Sequence, residues 1–411
     1  MYDQMQSGMA EATRLTREGR LDEATAAIQR ALGGRFAPGE SSDVPGEAKE
    51  PIQRALSAVY ETAQPTMPSQ PGRTEHALRR APGPSRRFRG VSSLLGTSPG
   101  VRPDHSTPST VSAGGRFLER SFTNRAGTRA YKLYIPRGYV GQEVPLIVML
   151  HGCTQSPDDI AAGTHMNALA EEHTFLVAYP AQAQGVNMNK CWNWFKTEDQ
   201  RRGRGEPSII AGITCEVIGE YHVDPGRVYV VGMSAGGAMA AIMGSTYPDI
   251  YAAVGVHSGL APGAAGDLSS ALAAMQGGGP ATVRRETLAG GSSRVVPAIV
   301  FHGDRDKTVH PRNADHLLAH HRGLDPGEPT PRAATSRGQV PGGHAYTRAT
   351  YGDTGGRAIV ELWTVHGLGH AWSGGSLPGS YTDPRGPDAS AEMVRFFHQN
   401  PRQEPAERPT G

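Results

Sequence analysis

Three cysteines in 411 residues are too few for a disulfide scaffold, and Cys153, Cys191 and Cys215 lack the paired spacing of a zinc site. No apolar run is long enough to span a bilayer, so no integral membrane segment is expected. A charge excess is missing too. The 41 Lys and Arg against 39 Asp and Glu leave +2, which argues against a dedicated nucleic-acid or membrane-surface protein. The first residues, Met1 to Met9, show no basic region followed by an apolar one; no secretion signal is expected, and the cytoplasm is. Glycine (53) and proline (32) are plentiful, so part of the chain is not expected to pack.

Composition shifts divide the chain. Residues 1–33 read as a short helical hairpin, with Met5, Met9 and Ala12 on one stripe and Leu21, Ala24, Ile28, Ala31 and Leu32 on a second. Residues 34–114 are rich in Pro, Gly, Ser and Arg and hold no periodicity beyond a short helical stretch at 52–62. Such a segment buries too little apolar surface to offset its ordering entropy and reads as a disordered linker. Its cluster Arg79, Arg80 and Arg86 to Arg89 reads as solvated basic linker. From 115 to 400 the pattern is globular, and 401–411 is a flexible tail. Strand-like runs at 130–135, 144–150, 175–179, 228–231, 252–257, 296–301 and 358–365 alternate with helical ones at 166–172, 209–221 and 238–243. That alternation predicts an α/β fold with a mostly parallel sheet covered on both faces. Residues 263–293 read as a partly mobile cap or helical insertion, and 322–345 as a surface excursion.

Between the strand 228–231 and the helix 238–243 stands Gly232-Met233-Ser234-Ala235-Gly236, a G-x-S-x-G. A strand that turns sharply into a helix strains the central serine and exposes its hydroxyl, while a helix start favours developing negative charge. The motif alone is weak, and the strand before it and helix after it make it strong. A nucleophilic serine needs a base, an acid to orient the base, and two N–H donors for the oxyanion. In an α/β-hydrolase these follow in the order Ser, Asp or Glu, His. After the strand 296–301 come His302-Gly-Asp304-Arg-Asp306, and either aspartate qualifies. Asp306 is preferred, because Asp304 follows the Gly303 turn and suits the loop's own backbone. After the last strand, His370 lies in a glycine-rich loop where the base belongs, with His366 its competitor at the strand end. Ala235 supplies one backbone donor. Cys153, in His151-Gly-Cys153-Thr-Gln155 after the strand 144–150, is the natural second.

These segments, together with Cys191-Trp192-Asn-Trp194-Phe and Gly369-His370-Ala-Trp372-Ser-Gly-Gly, resemble the polyhydroxybutyrate-depolymerase family of esterases, relatives of feruloyl and acetylxylan esterases. The resemblance covers roughly residues 115–400. It implies an α/β-hydrolase with Ser234 as nucleophile, Asp306 as acid, His370 as base, and the Cys153 and Ala235 N–H groups as oxyanion donors. No metal and no organic cofactor is implied. The substrate implied is poly(3-hydroxybutyrate), its oligomers or a related hydroxyalkanoate ester. The alternatives are a feruloyl- or acetyl-type esterase or an acyltransferase on small esters, and a catalytically idle binding module. Trp192, Trp194 and Trp372 stand close to the motifs, as an apolar wall for the substrate or as core packing. The run Arg201-Arg202-Gly-Arg204-Gly-Glu206 reads as a solvated loop before a carboxylate-binding one. The likeness also places Cys191 over the sheet edge that carries Cys153, so a Cys153–Cys191 disulfide is expected, with Cys215 a free, buried helical thiol. A bridge, like the family's exported members, points to an extracellular alternative.

Overall fold

The computed structural model describes residues 114–277, 296–322, 333–353 and 356–402. The helical hairpin at 1–33, the linker up to 113 with its 52–62 stretch and arginine cluster, residues 278–293 of the cap region, 323–332 of the excursion and the tail from 403 lie outside the described residues.

In chain order the strands are β1 (Arg116–Asn124), β2 (Gly127–Ile135), β3 (Val144–Leu150), β4 (Leu176–Pro180), β5 (Val223–Met233), β6 (Ala253–His257), β7 (Ala298–Gly303), β8 (Ala334–Gln339), β9 (Ala345–Gly352) and β10 (Ala358–Val365). They form one sheet in the order β1-β2-β4-β3-β5-β6-β7-β10-β9-β8. The six middle strands, β4 to β10 in that order, are parallel to their neighbours. Antiparallel hairpins extend both edges. Every residue of β3, β4, β6 and β7 is buried, as parallel strands covered on both faces must be. Side chains alternate between two cores: Leu146, Val148 and Leu150 of β3 enter one, Ile147 and Met149 the other.

The first core is roofed by α3 (Gly205–Glu220), α4 (Ala235–Thr246), α5 (Leu268–Gly277) and α6 (Arg312–Arg322). The second is roofed by α1 (Pro157–Thr164), α2 (Met166–His173) and α7 (Ala389–Gln399). Helix α7 starts at Asp388, whose carboxylate accepts the Ala391 N–H at 2.9 Å. It places Met393 and Phe397 on the sheet, with Phe397 stacked on Tyr229 at 4.6 Å. Burying a side chain of that size is worth about 1.5–3 kcal/mol.

This is the expected α/β-hydrolase architecture, and β3 and β10 keep their predicted bounds. Six of these elements have no counterpart in the sequence reading: the edge strands β1, β8 and β9, and helices α1, α6 and α7. The excursion at 322–345 is in part sheet, since β8 pairs with β9 along its length. Cys215 is exposed on α3, not buried: at its position the helix turns outward, while Ile213, Thr214 and Val217 fill the inner face.

Candidate active site

The serine sits where β5 becomes α4. Ser234 has φ 55° and ψ −120°, a conformation that costs a non-glycine residue about 1–3 kcal/mol and persists only when its surroundings enforce it. Two glycines do so. A Cβ on Gly232 would lie 2.2 Å from the Gly236 carbonyl oxygen, and one on Gly236 would lie 2.2 Å from that of Leu150. The turn therefore closes only with glycine on both sides, and it closes against the end of β3. The Ser234 N–H donates to the His257 carbonyl on β6 at 2.9 Å, which fixes the turn from the other side.

Asp306 and His370 are bonded, Oδ2 to Nδ1, at 2.7 Å. The aspartate side chain is wholly buried. Its second oxygen accepts the Thr308 and Val309 N–H groups, both at 2.9 Å. Burial works against the charged carboxylate. The nearby His370, its bond to Oδ2, His302 and the Val309 N–H outweigh it and hold the carboxyl at about 2. With Nδ1 committed to Asp306, Nε2 is the ring nitrogen left for the pocket that His370 shares with Ser234. Asp304 and His366 do not join this group: they bond each other at 2.9 Å on the surface.

The pocket is lined by Gly152, Cys153, Gln155, Met233, Ser234, His370 and Tyr381, and holds about 210 Å³ including its mouth. Ala235 is the first residue of α4, and the first N–H groups of a helix have no acceptor inside it. Cys153 is oriented by His151. The buried imidazole donates from Nδ1 to the Gly152 carbonyl at 2.8 Å and accepts the Gln182 N–H at Nε2 at 3.0 Å. That pattern requires the neutral ring, and burial pushes its pKa down to about 4. The C=O and N–H of one trans peptide point opposite ways, so holding the Gly152 carbonyl aims the Cys153 N–H away from His151. Cys153 and Cys191 are joined by a disulfide, with Cα atoms 4.2 Å apart.

The tryptophan wall is not there. Trp192, Trp194 and Trp372 are 0%, 5% and 1% exposed, and none lines the pocket. Trp372 stacks on His257 at 4.9 Å and donates to Ser390 Oγ at 3.1 Å; Trp194 packs edge-on against Phe195. They are core residues, because the loops that carry them fold down onto the sheet. Arg202 is committed to Asp249, one contact being 2.8 Å, and stacks over Tyr247. Glu206 of the same run is buried. The sequence reading missed Gln155, Met233 and Tyr381 as lining residues. Tyr381 has φ 52°, and its hydroxyl lies 3.2 Å from Thr154 Oγ1, itself in the loop after β3. Nothing local in Ser-Tyr-Thr-Asp marks that position. Only the fold brings it beside residues more than two hundred positions away.

Residues 129–330 match the family model described as esterase PHB depolymerase. This segment is a domain of that family. Poly(3-hydroxyalkanoate) depolymerase C of Paucimonas lemoignei is 33% identical over 257 residues, 60% of this chain and 59% of that protein. A probable acetylxylan esterase A of Neosartorya fischeri is 28% identical over 203 residues, 46% and 54% of the two chains. The chain thus spans little more than half the length of these curated relatives. The solved acetyl xylan esterase from Aspergillus awamori has the same fold. Its TM-score is 0.55 at 20% identity, covering 69% of this chain and all of that one. Among the described residues no helix is long and apolar enough to cross a membrane.

Proposed function

We propose that this chain is a serine carboxylester hydrolase that works through an acyl-enzyme on poly(3-hydroxybutyrate), its oligomers or related hydroxyalkanoate esters. The observation that carries the reading is the 2.7 Å bond from the buried Asp306 to His370, which lines a pocket together with the strained Ser234.

Ser234 Oγ attacks the ester carbonyl carbon while His370 Nε2 takes its proton. Asp306 keeps the proton of Nδ1 in place and stabilises the imidazolium that forms. The carbonyl oxygen becomes an oxyanion, met by the N–H groups of Ala235 and Cys153, each worth about 3–4 kcal/mol in the transition state. The tetrahedral intermediate collapses, the C–O bond to the alcohol breaks, and His370 returns the proton to the leaving alkoxide. Water then repeats the sequence, with His370 taking its proton, and the acid is released from Ser234.

The depolymerase relatives support a hydroxyalkanoate ester; the acetylxylan esterase relatives support an acetyl ester of another alcohol. One screen separates the two: short p-nitrophenyl esters, 3-hydroxybutyrate oligomers, amorphous polymer, acetylated xylan and feruloyl esters. Turnover of the oligomers above the acetyl and feruloyl esters is the expected result. The reverse ranking makes this a small-ester hydrolase, and no turnover of any ester, with no labelling by a serine-directed phosphonate, removes the enzymatic reading.

A further inference from the structure

Four buried polar side chains have no part in the chemistry above. Arg129, Gln182, Asn193 and Glu206 are each 2–4% exposed and bond to one another. Glu206 is the centre. It stands second in α3, where a helix start favours negative charge, and its own N–H donates to Asp199 Oδ1 at 2.7 Å. Its Oε1 accepts from Gln182 Nε2, from Asn193 Nδ2 at 2.7 Å and from Arg129 Nη2 at 3.4 Å. Its Oε2 accepts the Asn193 N–H at 2.7 Å. Burial and the neighbouring Asp199 carboxyl push the Glu206 pKa up, while every partner of its two oxygens donates and so favours the carboxylate over an acid or an amide. A buried ion pair is weak evidence of stability, since apolar side chains of the same volume often do as well; fixing one arrangement of its neighbours is the better account of it.

Two routes lead from this carboxylate to one peptide. In the first, Glu206 and Arg129 hold the Gln182 side chain, the latter through Nε on Oε1 at 2.9 Å. The Gln182 N–H then holds His151 Nε2, and His151 Nδ1–H holds the Gly152 carbonyl. In the second, Glu206 takes both N–H groups of Asn193. Gln182 Nε2 donates to the Cys191 carbonyl at 3.0 Å, so the Cys191–Asn193 segment is fastened at both ends. Cys191 is bonded to Cys153. The Gly152–Cys153 peptide is therefore gripped by its carbonyl from one side and by the cysteine side chain from the other.

We propose that Glu206 is a positioning residue of the oxyanion hole: its buried carboxylate, through Gln182–His151 and through Asn193–Cys191, fixes the direction of the Cys153 N–H. This rests on the serine-esterase reading given above. A donor that is already aimed needs no reorganisation as charge develops, so its effect falls on the transition state and not on substrate binding.

The test uses the full chain and Glu206→Gln, which keeps shape but turns an NH2 toward donors. Active sites are counted by phosphonate labelling taken to completion, and kcat per counted site is measured on a short p-nitrophenyl ester, with the affinity of a boronic acid that forms a tetrahedral adduct. The expected result is a kcat per site lower by about tenfold or more, a KM within about twofold, and boronate affinity lower by a factor similar to that in kcat. Glu206→Asp should recover part of the loss. Wild-type kcat on every counted site, with only the number of sites or the Tm reduced, makes Glu206 a folding residue and overturns the proposal. If Glu206→Gln yields no countable sites, Asn193→Ala decides. It removes the side-chain bond of the second route, keeps the backbone N–H bond and leaves the carboxylate; a fall in kcat per site at unchanged KM supports the proposal, while wild-type kcat overturns it. A wild-type chain that neither turns over the ester nor labels at Ser234 shows instead that the underlying reading is wrong, and the proposal falls with it.

Discussion

The Asp306–His370 and Asp304–His366 pairs come from the same two loops and are closed by bonds of nearly equal length, 2.7 and 2.9 Å. They differ in what surrounds them. Side-chain exposures are 0% and 9% in the first pair, 36% and 44% in the second. His370 of the first pair lines a pocket together with Ser234. The second turns outward, with His366 Nε2 at 2.9 Å from the Thr347 hydroxyl on β9 and Asp304 holding the Gly367 N–H at 2.7 Å. An exposed ion pair is worth about 0–1 kcal/mol, because water screens it and two side chains lose freedom. The outer pair thus fastens the turn that leads to His370. A short Asp–His distance does not by itself distinguish the pairs, nor does a hydroxyl beyond the imidazole; burial and a pocket shared with the strained Ser234 do.

The comparison is tested most severely by removing the serine. Ser234→Ala should lower kcat by on the order of 10⁶ while Thr347→Val, at the end of the outer pair, leaves it within about twofold. Steady-state rates on one soluble ester check both, and a Ser234→Ala chain that keeps most of its turnover breaks the account.

Next in size is the acid. Asp306→Asn should cost about 10⁴ in kcat, because an amide favours the wrong tautomer of His370. Asp304→Asn should cost no more than a few-fold. Kinetics of the two variants on the same ester rank them, and an inverted ranking moves the relay to the outer pair.

A smaller effect concerns stability. The Asp306 carboxyl is held at about 2 against an ordinary value of 3.8, so its folded-state pKa is depressed. Its contribution is present above the unfolded value and is lost as pH falls through about 2. A shift of this size is worth roughly 2–3 kcal/mol at neutral pH. Denaturation of wild type and Asp306→Asn should therefore show a stability gap that narrows between about pH 4 and pH 2. A gap constant over that window would mean that Asp306 is not held in its charged form. For the exposed Asp304 the same comparison should give little change at any pH.

The smallest effect tests the pocket wall. Tyr381→Phe removes the hydroxyl bonded to Thr154 and leaves the ring, so kcat/KM for a short acyl ester should fall by no more than about threefold. Tyr381→Ala should shift preference toward longer acyl chains, read from a series of p-nitrophenyl esters.

What the sequence made legible follows from where the signal lies. The Ser234 elbow is a local pattern of strand, glycine and helix, and the central strands are continuous apolar runs bounded by turns. The order of Ser234, Asp306 and His370 along the chain needs no three-dimensional knowledge once the fold class is assumed. Other features had no local signal. In β8, Ala334–Gln339, nearly every residue is exposed, so no apolar alternation marks it as a strand. The tryptophans read alike as a substrate wall or as core, since composition does not say which way a loop folds. Glu206 lay in an arginine-rich run that looked solvated; its burial depends on Arg129, Gln182 and Asn193, which only the fold assembles. Helix α7 did carry a signal, the Asp388 cap ahead of Met393, Val394, Phe396 and Phe397 at helical spacing, and the reading passed it by.

The central claim is that one buried relay, ending on Ser234, carries the chemistry. Its most direct measurement is stoichiometric labelling with a serine-directed phosphonate, followed by peptide mapping, on wild type, Asp304→Asn and Asp306→Asn. The account predicts one equivalent per chain on Ser234, at the wild-type rate in Asp304→Asn and orders of magnitude slower in Asp306→Asn. Labelling on another residue, or equal rates in the two aspartate variants, would contradict it.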